Sequence, residues 1–205
     1  MPSKKPTLCL SQDPAADALL ASDPLALLIG MVLDQQVPLE WAFHGPYELT
    51  QRLGKALDVS ELAAMDEDAL VAVFCDRPAL HRYPAAMARR IHELCRIVLD
   101  SYYGDAASIW TTAADGDELF KRIKALPGFG EMKAKIFVAL LAKQFGVTPA
   151  GWEKVAGEFG KRNTYLSVAD IVDTASLNKV RDAKAQKKAA AKAAKAAAAA
   201  ATTTE

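Results

Sequence analysis

Cysteine is scarce in this sequence of 205 residues. The three cysteines, Cys9, Cys75 and Cys95, are odd in number and far apart, so they encode neither a disulfide framework nor a zinc site. The four closely spaced cysteines that an iron–sulfur cluster needs are absent as well. We therefore expect no iron–sulfur cluster and no metal held by side chains.

Long apolar runs are also missing. No segment approaches the roughly 20 uninterrupted apolar residues of a membrane-spanning helix. The first residues, MPSKK, are not followed by the apolar core of a signal peptide. We expect a cytoplasmic protein with no membrane contact. Because 51% of its residues are hydrophobic, the chain can bury the core of one domain or of two small ones.

A net charge is missing too, since 25 basic residues balance 25 acidic ones. The distribution is nevertheless uneven. Residues 179–205 contain seven basic and two acidic residues, which leaves 18 basic and 23 acidic residues in 1–178. A nucleic-acid interface on this acidic body therefore has to rest on a local basic face.

Apolar residues recur at three- and four-residue spacings through most of the chain, as at Leu25, Leu28, Ile29 and Val32. This spacing places them on one face of a helix, whereas the alternation typical of strands is scarce. Proline and glycine divide the chain into about eight to ten such stretches. The sequence therefore predicts an all-α fold.

A short turn with two glycines separates the helical stretches 117–124 and 132–144. Its sequence is LPGFG, residues 126–130. Glycine adopts backbone angles closed to other residues and lets the main chain approach another surface. The first amides of a helix are in addition a ready anion site. The segment is either a phosphate-binding hairpin or simply a tight turn between helices.

Basic residues flank this turn on both sides. Lys121, Arg122 and Lys124 precede it, and two more lysines follow it. They would give the acidic body a local basic face for phosphates. The DNA contacts expected here are Gly128, Phe129, Gly130, Lys133 and Lys135.

The segment LPGFGEMKAKI, residues 126–136, resembles the LPGhGxxxA motif, in which h is apolar, of the helix-hairpin-helix (HhH-GPD) DNA glycosylases. The resemblance is to cluster-free members near endonuclease III and the 3-methyladenine glycosylases. Residues 24–37, which end in a glutamine loop, and residues 83–91 fall in the family's order, and Phe145-Gly146 closes the helix after the hairpin. The similarity covers about residues 20 to 160.

This resemblance implies two interleaved helical subdomains with the hairpin at their junction, within residues 1–178. In such proteins the chain ends complete one subdomain, so residues 1–21 and 134–178 are expected to pack together. Residues 179–205 are rich in lysine and alanine and are expected to form a disordered tail. The tail resembles linker-histone-like tails of bacterial DNA-binding proteins, which implies a nucleoid-associated location; it is otherwise a solubilising end.

The family's catalytic residues are not matched directly. Members that also cut the strand carry a lysine where this chain has Met132. A thioether cannot form the Schiff base that the lysine forms. The family's aspartate falls, by counting from Gly146, on Glu153, which is alternatively a first-turn glutamate favoured by the helix dipole. Asp34 is a reserve carboxylate.

The glutamine loop and two tryptophans complete the candidate site. By resemblance, Gln35 and Gln36 contact DNA, and Gln36 fills the gap left by an extruded base; the pair is otherwise a polar helix end. Trp41 and Trp152 are candidates for a base pocket, although single aromatic residues in helical proteins are more often core.

Three functions remain open on these observations. The first is a monofunctional DNA glycosylase that flips and releases a damaged or mispaired base from double-stranded DNA. The second is a non-catalytic duplex- or damage-binding protein on the same scaffold. The third is a helical interaction protein whose tail alone binds DNA. No cofactor is expected beyond a monovalent cation at the hairpin, which the resemblance allows.

Overall fold

The computed structural model describes residues 8–202, and all regular structure in that part of the chain is helical. The all-α fold predicted from the apolar spacing is confirmed. Two 3₁₀ turns, Gly157–Gly160 and Val168–Asp170, accompany the α-helices. The helices are α1 Pro14–Ser22, α2 Pro24–Leu33, α3 Leu39–Leu53, α4 Val59–Ala64, α5 Glu67–Cys75, α6 Pro84–Tyr102, α7 Ser108–Thr111, α8 Gly116–Lys124, α9 Glu131–Phe145, α10 Trp152–Ala156 and α11 Thr174–Thr202.

Aspartate side chains begin many of these helices. At the start of α2, the Asp23 carboxylate accepts a hydrogen bond from the Leu25 N–H at 2.8 Å. Asp58, Asp66 and Asp115 cap α4, α5 and α8 in the same way. Each cap satisfies an amide that has no partner within its helix, so these starts are encoded locally.

Helix α2 lies at the centre of the core, with every residue from 25 to 33 buried. A helix that is apolar on all sides belongs in an interior. Glycines let α3 approach it closely: a Cβ on Gly30 would lie 2.9 Å from Phe43, and one on Gly45 would lie 2.5 Å from Leu33. The residues that follow α2 are therefore positioned by a rigid support.

No single helix among residues 8–202 is long and apolar enough to cross a membrane. Helices α1 and α2 pass that test only as a pair, and they are bent by 116° to each other. The burial of α2 on all sides is also typical of a core helix.

The helices pack in two groups that follow each other along the chain. Helices α1 to α6 pack mainly on one another, whereas α9 organises the second group through α8, α10 and both 3₁₀ turns. The main contacts of α1 are with α2 and α3. The expectation that residues 1–21 pack with 134–178 is therefore wrong for this helix. The single residue between α1 and α2 folds them back on each other and keeps α1 in the first group.

Helix α11 continues through the predicted start of the tail, so the boundary between residues 178 and 179 falls inside a helix. Leu177 and Val180 are buried on the core, whereas residues 181–187, 189 and 190 are exposed apart from the half-buried Ala183. Where the sequence predicted a disordered tail from residue 179, the structure has helix as far as Thr202. Alanine and lysine favour helix without any core contact. Residues 203–205 of the predicted tail lie outside the described residues.

Candidate functional site

The chain makes the predicted hairpin between α8 and α9. Gly128 has a φ of +82°, in the left-handed region that glycine favours, and the Phe129 N–H donates to the Leu126 carbonyl at 3.1 Å. Leu126 and Phe129 are buried, so the apolar residues of the turn anchor it to the core. Any contact of Phe129 with DNA is therefore left to its backbone.

Gly130 is exposed and precedes α9 without a side-chain cap. The amides of the first turn have no partner within the helix, and the helix dipole is positive there. Apart from Gly130 and its two chain neighbours, no atom of the described residues lies within 4 Å of a Cβ built on Gly130. An anion such as a DNA phosphate can therefore approach this backbone.

The hairpin packs on the C-terminal end of α2. A Cβ on Gly128 would lie 3.5 Å from Val32 and 3.8 Å from Arg90 of α6. Lys133, in the first turn of α9, donates from Nζ to the Met31 carbonyl at 2.7 Å. A cation at the carbonyl end of a helix also complements its dipole. The hairpin and the end of α2 are thus held together as one surface.

Gln35, just after α2, is locked by its neighbours. Its side-chain nitrogen donates to the Val32 carbonyl at 2.6 Å, and its side-chain oxygen accepts from Arg90 Nη1 at 2.9 Å. Its backbone carbonyl accepts from Nε2 of the buried His81 at 2.9 Å. Because the Tyr83 N–H donates to His81 Nδ1 and burial lowers the pKa of His81, we assign the ring as neutral with its proton on Nε2.

Gln36 differs from Gln35 in both exposure and backbone conformation. It is exposed, with a φ of +57°, which residues other than glycine rarely adopt. Such a conformation persists where the surrounding structure holds it, as the fixed Gln35 does here. Gln35 anchors the loop, and Gln36 is the glutamine that is exposed to solvent.

Met132 and Lys133 face opposite surroundings. Met132, which the resemblance places at the position of the family's lysine, is 65% exposed. Lys133 is turned toward α2, and burial lowers its pKa to about 8, although nearby Asp34 favours the charged form. Burial also raises the pKa of Asp34. The predicted DNA contact of Lys133 remains a prediction, and its ammonium already has the Met31 carbonyl as a partner.

Two glutamates lie downstream of the hairpin helix. Glu153 is exposed in the first turn of α10, and its carboxylate makes no hydrogen bond or ion pair with the side chains and backbone of residues 8–187. Glu158, in the first 3₁₀ turn, shares a groove of about 320 Å³ with Met132 and Lys135. No pattern in the sequence indicated Glu158, because its position depends on how the chain returns along α9 after α10.

The basic face around the hairpin is partly neutralised. Lys135 pairs with Glu131 at 2.7 Å, and Lys124 lies 4.0 Å from the same carboxylate. Arg122 pairs with Glu118 at 2.6 Å on α8. Surface pairs of this kind are weak, so Lys124 and Lys135 can exchange Glu131 for a phosphate.

Arg82 and Tyr83 adjoin the glutamine loop and were not singled out from the sequence. Tyr83 is 43% exposed, and the Arg82 guanidinium lies 5.4 Å from the centre of its ring. The pair is connected to Gln35 through His81. The sequence feature that could have indicated this pair is the tyrosine directly before the proline that starts α6.

The two tryptophans do not lie in the same place. Trp41 is 42% exposed in the first turn of α3. Trp152 begins α10 and lines a cavity at the other end of α9 from the hairpin, together with Tyr165. The cavity that Trp152 lines does not include Trp41, and the role of each in a base pocket remains a prediction.

Comparison with known proteins gives one match. A family model described as HhH-GPD superfamily base excision DNA repair protein matches residues 29–199. No curated protein and no solved structure matches the chain. The matched span contains the glutamine loop, the hairpin, both glutamates and most of α11.

Proposed function

The chain belongs to the HhH-GPD superfamily of base excision DNA repair proteins, and from this premise we propose that it is a DNA glycosylase that leaves the strand intact. Its substrate is a damaged or mispaired base in double-stranded DNA. One observation carries the proposal: the hairpin and the glutamine loop share one rigid surface, since Gly128 packs on Val32 and Arg90 while Arg90 holds Gln35.

This surface has the parts that base extrusion requires. A phosphate binds at the uncapped start of α9 beside Gly130, with Lys124 and Lys135 nearby. Gln36 enters the duplex where the base leaves it. Extrusion is necessary because the glycosidic carbon cannot be reached inside the base stack.

In the reaction, the bond between the sugar C1′ and the base nitrogen breaks, and its electron pair leaves with the base. The positive charge left on the sugar is stabilised by a carboxylate, and a water then adds to C1′ and loses a proton, which neutralises the released base anion. Strand cleavage would need an amine to attack C1′. Met132 has none, and the Lys133 ammonium is held by α2. The product is therefore an abasic site in an unbroken strand.

Two glutamates compete for the role of that carboxylate. Counting from the end of α9 favours Glu153, whereas the shared groove with Met132 favours Glu158. A first-turn glutamate such as Glu153 also has a structural explanation, because it complements the dipole of α10.

The test is release of free base from duplexes that carry uracil, hypoxanthine, an alkylated purine, 8-oxoguanine or a T:G mispair. Glu158→Gln and Glu153→Gln are compared with the wild type, and Glu93→Gln on the exposed face of α6 is the matched control. We expect one of the first two to lose about a hundredfold in rate and the control to lose nothing. Equal activity in all four proteins would contradict both assignments.

Non-catalytic recognition of duplex or damaged DNA is the second candidate. Met132 in place of the family's lysine and glutamates in place of its aspartate favour it. This candidate predicts that no duplex loses a base, while binding still depends on the hairpin. Gly130→Glu is the suitable hairpin variant because the space around Gly130 is open, whereas Gly128 has a positive φ.

A monovalent cation at the hairpin is a smaller proposal. The Leu126 carbonyl accepts from the Phe129 N–H and retains a second lone pair for an ion. Among residues 8–202, no three His, Cys, Asp or Glu side chains lie together as metal ligands. Main-chain oxygens would therefore hold the ion, and no step of base release is assigned to it.

A further inference from the structure

A second cavity, of about 500 Å³, lies at the opposite end of α9 from the hairpin. It is lined by the end of α9, the loop after the first 3₁₀ turn and the start of α11. Lys143, in its wall, is eleven residues from Met132 along α9, which corresponds to about 16 Å. The cavity is therefore separate from the hairpin surface.

An ion pair that is largely buried forms part of the wall of this cavity. Lys143 Nζ lies 2.6 Å from Asp170 Oδ1, and the two side chains are only 14% and 4% exposed. Lys143 also donates to the Lys161 carbonyl at 2.6 Å, and the Leu166 N–H donates to Asp170 Oδ2 at 2.8 Å. These bonds hold the loop between Lys161 and Leu166 against α9.

The held loop presents aromatic and cationic groups to the cavity. Tyr165 faces it together with Trp152 of α10. Lys179 of α11 lies 4.6 Å from the centre of the Tyr165 ring and donates to its hydroxyl at 3.2 Å. Arg162 lines the same cavity.

The carboxylates in the cavity wall already have partners. Asp170 is paired with Lys143, and the Asp173 carboxylate accepts the Ser176 N–H at 2.7 Å. Within the part of the chain that the structure describes, neither Arg162 nor Lys179 forms an ion pair with a carboxylate. The cavity thus offers ring surfaces and two cations to a ligand.

We propose that this cavity binds a nucleotide. The base stacks on the rings of Trp152 and Tyr165, a contact that accepts any base because every base has a π-face. The phosphate is bound by Arg162 and Lys179. The ligand is either a free mononucleotide or an unpaired nucleotide of a DNA strand. The site goes beyond the proposed glycosylase, since nucleotide binding here requires neither the hairpin nor base release.

Trp152 fluorescence tests the proposal in the full chain, with Trp41→Phe as background to remove the exposed tryptophan. Trp110 is buried and supplies a constant signal. Thymidine 5′-monophosphate should quench it saturably, and thymidine should bind about fivefold more weakly because it lacks the phosphate. Inorganic phosphate alone should leave the fluorescence unchanged. Arg162→Gln should weaken thymidine monophosphate binding about fivefold.

Lys161→Gln is the matched control. It removes the same charge from the neighbouring residue, whose side chain does not line the cavity. The proposal is overturned if the wild type shows no saturable quenching up to about 10 mM nucleotide, or if both substitutions weaken binding equally. An oligothymidylate of about eight residues identifies the source when Gly130→Glu blocks the hairpin. Tighter binding than the mononucleotide that Arg162→Gln also weakens indicates an unpaired strand at the cavity, and equal binding indicates a free nucleotide.

Discussion

Met132 and Lys133 are adjacent residues, about 100° apart around α9, and their surroundings give them different chemistry. Met132 projects into solvent at the position where a lysine would act as nucleophile. Lys133 has the amine, but its Nζ contacts the Met31 carbonyl. The proposed lack of strand cleavage therefore rests on two features: Met132 has no amine, and the amine of Lys133 is directed toward α2.

Met132→Lys should create a nucleophilic amine at the exposed position. We expect this variant to form a covalent adduct with abasic duplex DNA that borohydride traps, because a primary amine can attack C1′. A denaturing gel measures the adduct. The wild type should give none, and neither should Leu99→Lys, which adds a lysine to an exposed site on α6. Trapping of the wild type, or equal trapping of both variants, would contradict the assigned position.

Lys133 should make stability depend on pH. Its pKa is about 8 in the folded protein against an ordinary value of 10.5, so the unfolded chain binds more protons between these values. The cost of burying the ammonium is complete below about pH 8 and is relieved toward pH 10.5. Relative to Lys133→Met, the wild type's free energy of unfolding should therefore rise on the order of 2 kcal/mol across this window.

Urea unfolding at a series of pH values measures this rise. Lys135→Met is the control, because Lys135 is more exposed and paired with Glu131. The difference in free energy of unfolding between the wild type and Lys135→Met should not rise over the same pH range. A flat difference for Lys133→Met would show that the ammonium is not buried.

At the scale of elements, the glutamine loop is rigid because three helices hold it. The loop directly follows α2. Arg90 of α6 donates to the Gln35 side chain, and Lys133 of α9 donates to a carbonyl at the end of α2. His81, from the segment before α6, closes the arrangement through the Gln35 carbonyl. Gln36 is thereby presented at a fixed position relative to the hairpin.

Arg90→Gln should loosen this loop without unfolding the protein. We expect duplex affinity to fall about fivefold, because the Gln35 side chain loses its anchor, while the urea midpoint barely changes. Arg89→Gln removes the same charge from the adjacent residue, which is 52% exposed and pairs with Glu67. It should change affinity less than about twofold. Equal losses from both variants would mean that charge alone is responsible.

The sequence predicted the structural features that depend on residues close together in the chain. The hairpin followed from glycines at alternate positions between two helical stretches, and the all-α fold followed from apolar residues at three- and four-residue spacings. The direction of Lys133 and the position of Glu158 could not be predicted. Both depend on contacts between residues far apart in the chain, about 100 positions in the case of Lys133 and Met31.

At the scale of the whole molecule, the body is acidic and the C-terminal helix is basic. Glu40 pairs with Arg181 of α11, and Glu158 lies 4.0 Å from Lys187. The basic helix therefore offsets acidic groups of the body before any DNA is bound. We propose that its remaining lysines contact phosphates of nucleoid DNA without regard to sequence.

Deletion of residues 183–205 tests this role and keeps the buried Val180 in place. The deletion removes five lysines and one glutamate. We expect weaker duplex binding, and a smaller slope of log affinity against log salt by up to about four units. Abolished binding would mean that the helix alone binds DNA. An unchanged slope would mean that its lysines make no phosphate contact.

The most direct test of the account compares strand breaks before and after alkali in duplexes that carry the five base changes named above. The account predicts that the wild type makes one of these duplexes alkali-labile, that no break forms without alkali, and that Gly130→Glu abolishes the effect. Breaks that form without alkali would contradict the role given to Met132. Absence of alkali-labile sites in every duplex would contradict the glycosylase and favour the non-catalytic binder.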